Sequence, residues 1–71
     1  MERLAAIEHW FRDQKQTLRY ERLPDDEWVA LWIPDHQTTG ITEGVRGTTK
    51  RQAAKNATNK YAKKYGLEPL A

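Results

Sequence analysis

Basic side chains in the last third of the chain have the charge and spacing to bind a polyanion. Between Gly44 and Leu67 the sequence holds seven lysines and arginines and no aspartate or glutamate. They are Arg46, Lys50, Arg51, Lys55, Lys60, Lys63 and Lys64. The formal net charge is only +2 at pH 7, because acidic residues predominate in residues 1–43. A charge separated in this way favours a partner that carries many negative charges.

Catalytic and metal-binding chemistry has little basis in the sequence. The chain has no serine, no cysteine and no glycine-rich loop of a nucleotide-binding type. His9 and His36 are too far apart in sequence to form a local ligand pair. Asp25, Asp26 and Glu27 lack the glycine-containing loop of a calcium site. We therefore expect a protein that is not an enzyme and that holds neither a metal nor a cofactor.

Length and composition predict a single small domain over 1–71. A domain of this size buries only about 60% of its unfolded surface, so its core must be compact and rich in aromatic residues. No apolar run approaches the roughly 18 residues that span a bilayer, and the charged Glu2 and Arg3 do not fit a signal peptide. We expect a soluble, cytoplasmic protein.

The apolar pattern predicts five elements that would position the basic residues. Leu4, Ile7 and Phe11 have the spacing of a helix, and 27–33 has the aromatic and β-branched composition of a strand. The predicted bounds are a helix over 3–15, strands over 17–23, 27–33 and 40–46, and a helix over 49–65.

The last predicted helix has signals at both ends. Thr49 and Gln52 fit a capping box, in which the threonine accepts from the Gln52 amide and the glutamine side chain reaches back to the cap. Gly66 is the expected left-handed residue after the helix. Ala53 and Ala57 share one side, so this helix is expected to pack close to a sheet.

The resulting order is α-β-β-β-α. Short turns between strands imply an antiparallel meander, and two amphipathic helices must cover one of its faces. The prediction is a two-layer α+β sandwich, with a three-stranded antiparallel sheet and two helices packed on one face. Val29, Leu31 and Ile33 are expected to face the helices. Trp28 and Trp32 would then lie on the open face of the sheet.

This order, with the segments Gly47-Thr48-Thr49-Lys50-Arg51-Gln52-Ala53 and Lys55-Asn56-Ala57, resembles the double-stranded RNA-binding domain family. The family has there a glycine, a capping serine or threonine, two basic residues and an alanine-rich helix with a further lysine. The resemblance covers nearly the whole chain in topology and about the last third in motif. Tyr20-Glu21 is similar to the pair that often opens the family's first strand, which places Glu8 where the family often has a helix-one glutamate.

The resemblance implies binding to double-stranded or structured RNA, through shape and backbone phosphates. Thr49 would position the helix end, where Lys50, Arg51 and Lys55 grip phosphates across the major groove. Glu8 would belong to a neighbouring contact on the first helix. Four further residues would broaden the positive field: Arg46, Lys60, Lys63 and Lys64.

The chain departs from the family in two places. The first loop is Leu23-Pro24-Asp25-Asp26-Glu27, where the family commonly offers glycine, proline and histidine, and its carboxylates would be repelled by phosphates. The third motif lysine depends on the alignment: pairing through Ala53 places Ala54 there, and pairing through Ala54 places Lys55 there. The resemblance therefore leaves one of three contact regions poor.

The sequence is also compatible with other functions. The lysines could form an ordinary solvated helix face, although such faces usually mix signs. A protein-interaction or dimerisation module would use Trp28 and Trp32 on the open sheet face. A DNA binder would insert the three-stranded sheet into the major groove, with Arg19 and Arg46 on its strands.

Overall fold

The computed structural model describes residues 3–35 and 44–68 and has two helices and three strands in the order α-β-β-β-α. The bounds are α1 Leu4–Asp13, β1 Gln16–Arg22, β2 Trp28–Pro34, β3 Gly44–Gly47 and α2 Lys50–Tyr65. The predicted α+β fold is therefore confirmed. The predicted start of the third strand, over 40–43, lies outside the described residues. Within the described parts of the chain, neither helix is long and apolar enough to cross a membrane.

The three strands form one antiparallel meander with β2 in the centre. Leu18 lies opposite Trp32, and Tyr20 lies opposite Ala30. On the other side of β2, Ala30 lies opposite Val45. Residues directly opposite one another point to the same face of a sheet. This register therefore brings apolar side chains of all three strands together on one face.

The helices cover the sheet face opposite to the predicted one. Ala30 is fully buried and Trp32 is only 5% exposed, whereas Val29, Leu31 and Ile33 are half-buried on the other face. Hydrophobicity of β2 could not decide between its faces, because both are apolar. The partner strand decides instead: β1 alternates apolar Leu18 and Tyr20 with polar Thr17, Arg19 and Glu21. Trp28 and Trp32 therefore belong to the core side of the sheet, and the predicted orientation was wrong.

An aromatic cluster joins α1, β2 and α2. The Phe11 and Trp32 rings are stacked with their centroids 6.0 Å apart. Tyr61 meets both rings edge-on, with its centroid 5.3 Å from each. Such pairs stabilise by about 0.5–1.5 kcal/mol beyond the area they bury. The cluster holds both helices against the sheet and explains how so short a chain builds a core.

Small residues bring α2 close to the sheet at the junction with β3. Ala53, Ala54 and Ala57 are fully buried. A Cβ atom added to Gly47 would lie 2.3 Å from the backbone nitrogen of Ala53, so only glycine fits there. The start of α2 is consequently fixed against the end of β3.

The predicted signals at the ends of α2 are mostly confirmed. Thr49 Oγ1 accepts a hydrogen bond of 3.0 Å from the Gln52 amide, and Gly66 is left-handed with φ 67°. The reciprocal half of the capping box was wrong, because Gln52 Nε2 donates to Asn56 Oδ1 at 3.0 Å. The start of the helix is therefore capped by Thr49, while Gln52 supports the next turn.

Candidate nucleic-acid interface

α2 carries most of its basic residues on the side that faces away from the sheet. Six are exposed, and the helix contains no acidic residue. They are Lys50, Arg51, Lys55, Lys60, Lys63 and Lys64. The alanines and Tyr61 occupy the buried side, so the charged side chains are left to solvent. The packing of small residues on the sheet thus forces a cationic surface outward.

Three of these residues form what we call the cationic face: Arg51, Lys55 and Lys63. They follow one another at intervals of one or two helical turns, with Asn59 between the two lysines. Within residues 3–35 and 44–68 none of the three forms an ion pair. The face extends over about 18 Å, from the helical rise of about 1.5 Å per residue. A surface of this length suits an extended polyanion better than a single small anion.

Lys50 lies against the sheet at the first turn of α2. Its Nζ atom is 4.9 Å from the centroid of the Tyr20 ring and 5.2 Å from that of Trp28. Cation–π contacts at exposed sites contribute about 0.5–1 kcal/mol each. Because Lys50 remains exposed, its ammonium can still donate to a ligand. Lys50 therefore both anchors the helix end and contributes charge to it.

Glu8 accepts a hydrogen bond from Tyr20, whose ring lies beside Lys50. The Tyr20 hydroxyl donates a hydrogen bond of 2.9 Å to Glu8 Oε2. Burial raises the pKa of Tyr20 well above its ordinary value of 10.0, and the hydrogen bond and negative charge of Glu8 raise it further. The structure thus places Glu8 in a contact that links α1 to β1 and, through Tyr20, to Lys50. The sequence did not single out Tyr20 for this role, although its alternation with Arg19 and Glu21 marks it as facing the core.

Arg46 is the predicted site residue whose surroundings differ most from those of α2. Its Nη2 atom lies 2.7 Å from Asp25 Oδ2, and its Nε atom lies 3.3 Å from Glu27 Oε1. A neighbouring pair joins Arg22 Nη2 to Asp26 Oδ1 at 3.0 Å. The side chain of Arg46, on β3, is therefore paired with the acidic turn and does not belong to the cationic face. Its partners are distant in sequence, so only the strand register could have revealed the contact.

The other predicted site residues are spread along the helix. Thr49 stands at the N-terminal end, whereas Lys63 and Lys64 lie in the last turn. Lys60 also lies nearer that end, and Lys64 Nζ is 5.7 Å from the centroid of the Tyr65 ring. Basic residues in a last turn complement the helix dipole and stabilise the helix by a few tenths of a kcal/mol or more. Only Thr49, Lys50 and Arg51 are gathered at the capped end, with Lys55 one turn further on.

The tryptophans of β2 do not form the open surface that was predicted for an interaction module. Trp32 packs among Phe11 and Tyr61 in the core, and half-buried Trp28 lies beside Lys50. A partner could not contact the pair without opening the domain. The open sheet face instead carries Val29, Leu31 and Ile33 in its centre.

Metal ligands are not grouped anywhere in the described residues. Among residues 3–35 and 44–68, no three histidine or acidic side chains are placed to hold a metal ion together. His9 lies 3.8 Å from Asp13 on the exposed side of α1, and His36 is outside the described residues. The carboxylates of the acidic turn face arginines. The local geometry therefore gives charge pairing in place of coordination.

Comparison with known proteins does not indicate a function, so the arrangement of residues is the basis for inferring one. No family model matches the chain, and no curated protein or solved structure matches it.

Proposed function

We propose that this domain binds double-stranded RNA through the capped end and the cationic face of α2, as a member of the double-stranded RNA-binding domain family. The observation that carries the proposal is the exposed basic surface of α2, which contains no carboxylate and begins at a helix N-terminus held by Thr49. The family's order of elements and its basic pair, here Lys50 and Arg51, support the same function.

The chemistry of the helix end favours phosphate. Thr49 accepts a hydrogen bond from the Gln52 amide. The amides of Lys50 and Arg51 lie in the first turn, where a helix has no acceptor of its own for them. These groups carry the positive end of the helix dipole, and the two side chains add full charges. Cations at this end oppose the dipole and slightly destabilise the isolated helix. An anionic ligand would remove that penalty.

The cationic face favours a ligand with many regularly placed charges. Its length of about 18 Å exceeds the spacing of neighbouring phosphates on one strand. Lysine and arginine contacts to phosphates carry no sequence information, so recognition would depend on shape and backbone. Duplex RNA meets both conditions, since its phosphates border a deep, narrow major groove.

The test is binding of a fluorescent RNA duplex of about 20 base pairs, longer than the roughly 16 that such domains contact. Lys50→Glu combined with Arg51→Glu is expected to weaken binding about 50-fold or more near 0.1 M salt, because each phosphate contact contributes about eightfold there. The free energy of unfolding should fall by less than about 1 kcal/mol, because Lys50 also loses its contacts with Tyr20 and Trp28. A matched reversal at exposed positions elsewhere, Arg3→Glu with Arg19→Glu, should weaken binding far less.

Three outcomes would contradict the proposed function. Equal competition by duplex DNA of the same length would assign the surface to nucleic acids in general, since 2′-hydroxyl contacts distinguish RNA. A larger loss with Arg19→Glu than with the α2 reversal would favour the sheet-inserting DNA binder. Wild-type affinity that does not fall between about 0.05 and 0.2 M salt would exclude phosphate binding.

A further inference from the structure

The turn between β1 and β2, residues 23–27, is an acidic hairpin loop with hydrogen bonds of its own. Leu23 N donates to Glu27 O at 2.7 Å, and Asp26 N donates to Leu23 O at 3.0 Å. Asp25 Oδ1 accepts from the Glu27 amide at 3.2 Å, and Asp26 adopts φ 65°. These bonds orient Asp25 so that Oδ2, its other oxygen, is directed to Arg46. The loop is therefore shaped before any ligand binds.

Arg46 is held by two carboxylates of this loop while remaining accessible. The Asp25 contact of 2.7 Å is short, and the Arg46 and Asp25 side chains are 57% and 56% exposed. The Glu27 side chain is 39% exposed. Ion pairs with this exposure contribute only about 0.2–1 kcal/mol, so competing anions in solution can displace them.

The backbone of Arg46 is anchored beside the capped end of α2. Asn56 Nδ2 donates to Arg46 O at 2.9 Å, which joins β3 to the second turn of the helix. Gly47 follows directly and packs on Ala53. Thr49 begins the helix two residues later. The Arg46 backbone therefore adjoins the proposed phosphate site. Its guanidinium lies on the open face of the sheet with Val29, where a duplex that extends past β3 would meet it.

Resting on the proposed function, we propose that Asp25 and Glu27 act as an internal substitute for phosphate that occupies Arg46 and limits the affinity of the domain. The N–H donors that Arg46 directs to these carboxylates are the kind that suit phosphates, and the two carboxylates repel a phosphate that approaches the donors left over. A bound nucleic acid gains the Arg46 contact only by displacing the loop carboxylates. The acidic loop, which departs from the family pattern, therefore sets affinity without contacting RNA.

The experiment measures binding of the same RNA duplex by Asp25→Asn with Glu27→Gln. Asparagine keeps the Oδ1 acceptor that shapes the loop, so the variant should unfold at nearly the wild-type temperature. Release of Arg46 should tighten binding about three- to eightfold near 0.1 M salt and steepen the salt dependence by about one phosphate contact. The matched control, Asp13→Asn with Glu21→Gln, removes equal charge but leaves the arginine pairs of the acidic loop intact. It should change affinity less than about twofold, since exposed charges are screened.

A third variant separates release of Arg46 from a general change of charge. Adding Arg46→Gln to Asp25→Asn and Glu27→Gln should cancel most of the gain. The inference is overturned if both double variants tighten binding equally, or if Arg46→Gln leaves the gain intact, while the proposed function stands. If neither the wild type nor the Asp25→Asn and Glu27→Gln variant binds duplex RNA, both proposals fall.

Discussion

Two groups of cations in this domain have the same charge but different surroundings. At the β1–β2 end, Arg22 and Arg46 each lie within 3.0 Å of a carboxylate of the acidic turn. On α2, Arg51, Lys55 and Lys63 form no ion pair within the described residues. The first group is neutralised locally, whereas the second depends on solvent or on a ligand to balance its charge.

The position of a basic residue in the fold matters more here than the number of such residues. Arg46 and Lys50 are four positions apart in sequence, but Arg46 lies on β3 and Lys50 begins α2. Their surroundings therefore differ. The strand register brings Arg46 to the acidic turn, while the helix carries Lys50 to Tyr20 and Trp28. A net charge of +2 describes neither group.

Disrupting the contact between β3 and α2 should have the largest effect. Gly47→Ala introduces a Cβ atom 2.3 Å from the Ala53 backbone, so β3 and α2 must separate. We expect a loss of about 2–4 kcal/mol in the free energy of unfolding, measured by urea denaturation. Gly44→Ala is the control within the same strand. There the new atom meets the Val29 side chain at 2.8 Å, so the loss should be clearly smaller.

The hydrogen bond between Tyr20 and Glu8 can be removed without changing any basic residue. Tyr20→Phe keeps the ring but loses the hydrogen bond to Glu8, at an expected cost of about 1 kcal/mol in thermal or urea unfolding. Glu8→Gln should cost less, because its amide oxygen can still accept. A larger loss for Glu8→Gln than for Tyr20→Phe would contradict this assignment of the bond.

The pH dependence of the same residue has a definite sign. The folded-state pKa of Tyr20 is raised above its ordinary value of 10.0, chiefly by burial and then by Glu8. Its stabilising contribution is therefore complete below pH 10 and lost as the pH rises further, because only the unfolded chain releases the proton easily. Unfolding temperatures measured across this alkaline range should fall less steeply for Tyr20→Phe than for the wild type. Equal slopes would exclude Tyr20 as a source of the dependence.

Removing the charge of Lys50 should separate its two roles. Lys50→Met keeps the aliphatic chain but loses the cation–π contacts, so stability should fall by less than about 1 kcal/mol. Arg51→Met, which disturbs no ring, is the matched control and should leave stability unchanged. Both should weaken RNA binding by a similar factor. A binding loss confined to Arg51→Met would show that Lys50 serves the fold alone.

The smallest effect is expected at the exposed pair of the acidic turn. Arg22→Gln breaks the contact with Asp26, whose side chain is 82% exposed. Such pairs contribute little, so the change in unfolding free energy should stay within about 0.5 kcal/mol. A change above about 1 kcal/mol would show that the ion pair between Arg22 and Asp26 stabilises the fold.

Local signals predicted much of the fold. Thr49 and Gly66 are recognisable because caps depend on neighbouring residues, and the order α-β-β-β-α follows from segments with a clear period. The orientation of β2 was predicted wrongly because Trp28 and Val29 are both apolar, and only β1 could distinguish the faces. The pairing of Arg46 with Asp25 was missed for a similar reason. It depends on two strand registers, which no short segment specifies.

The contact between Lys50 and Trp28 gives the domain an intrinsic optical probe. The ammonium lies 5.2 Å from an indole that is half-buried, whereas Trp32 is shielded in the core. Indole emission responds to nearby charge, so a ligand that draws the ammonium away would alter the fluorescence of Trp28 without any attached dye. Trp28→Phe keeps an aromatic ring beside Lys50 and removes that signal. Occupancy of the helix end could thus be followed separately from events elsewhere on the surface.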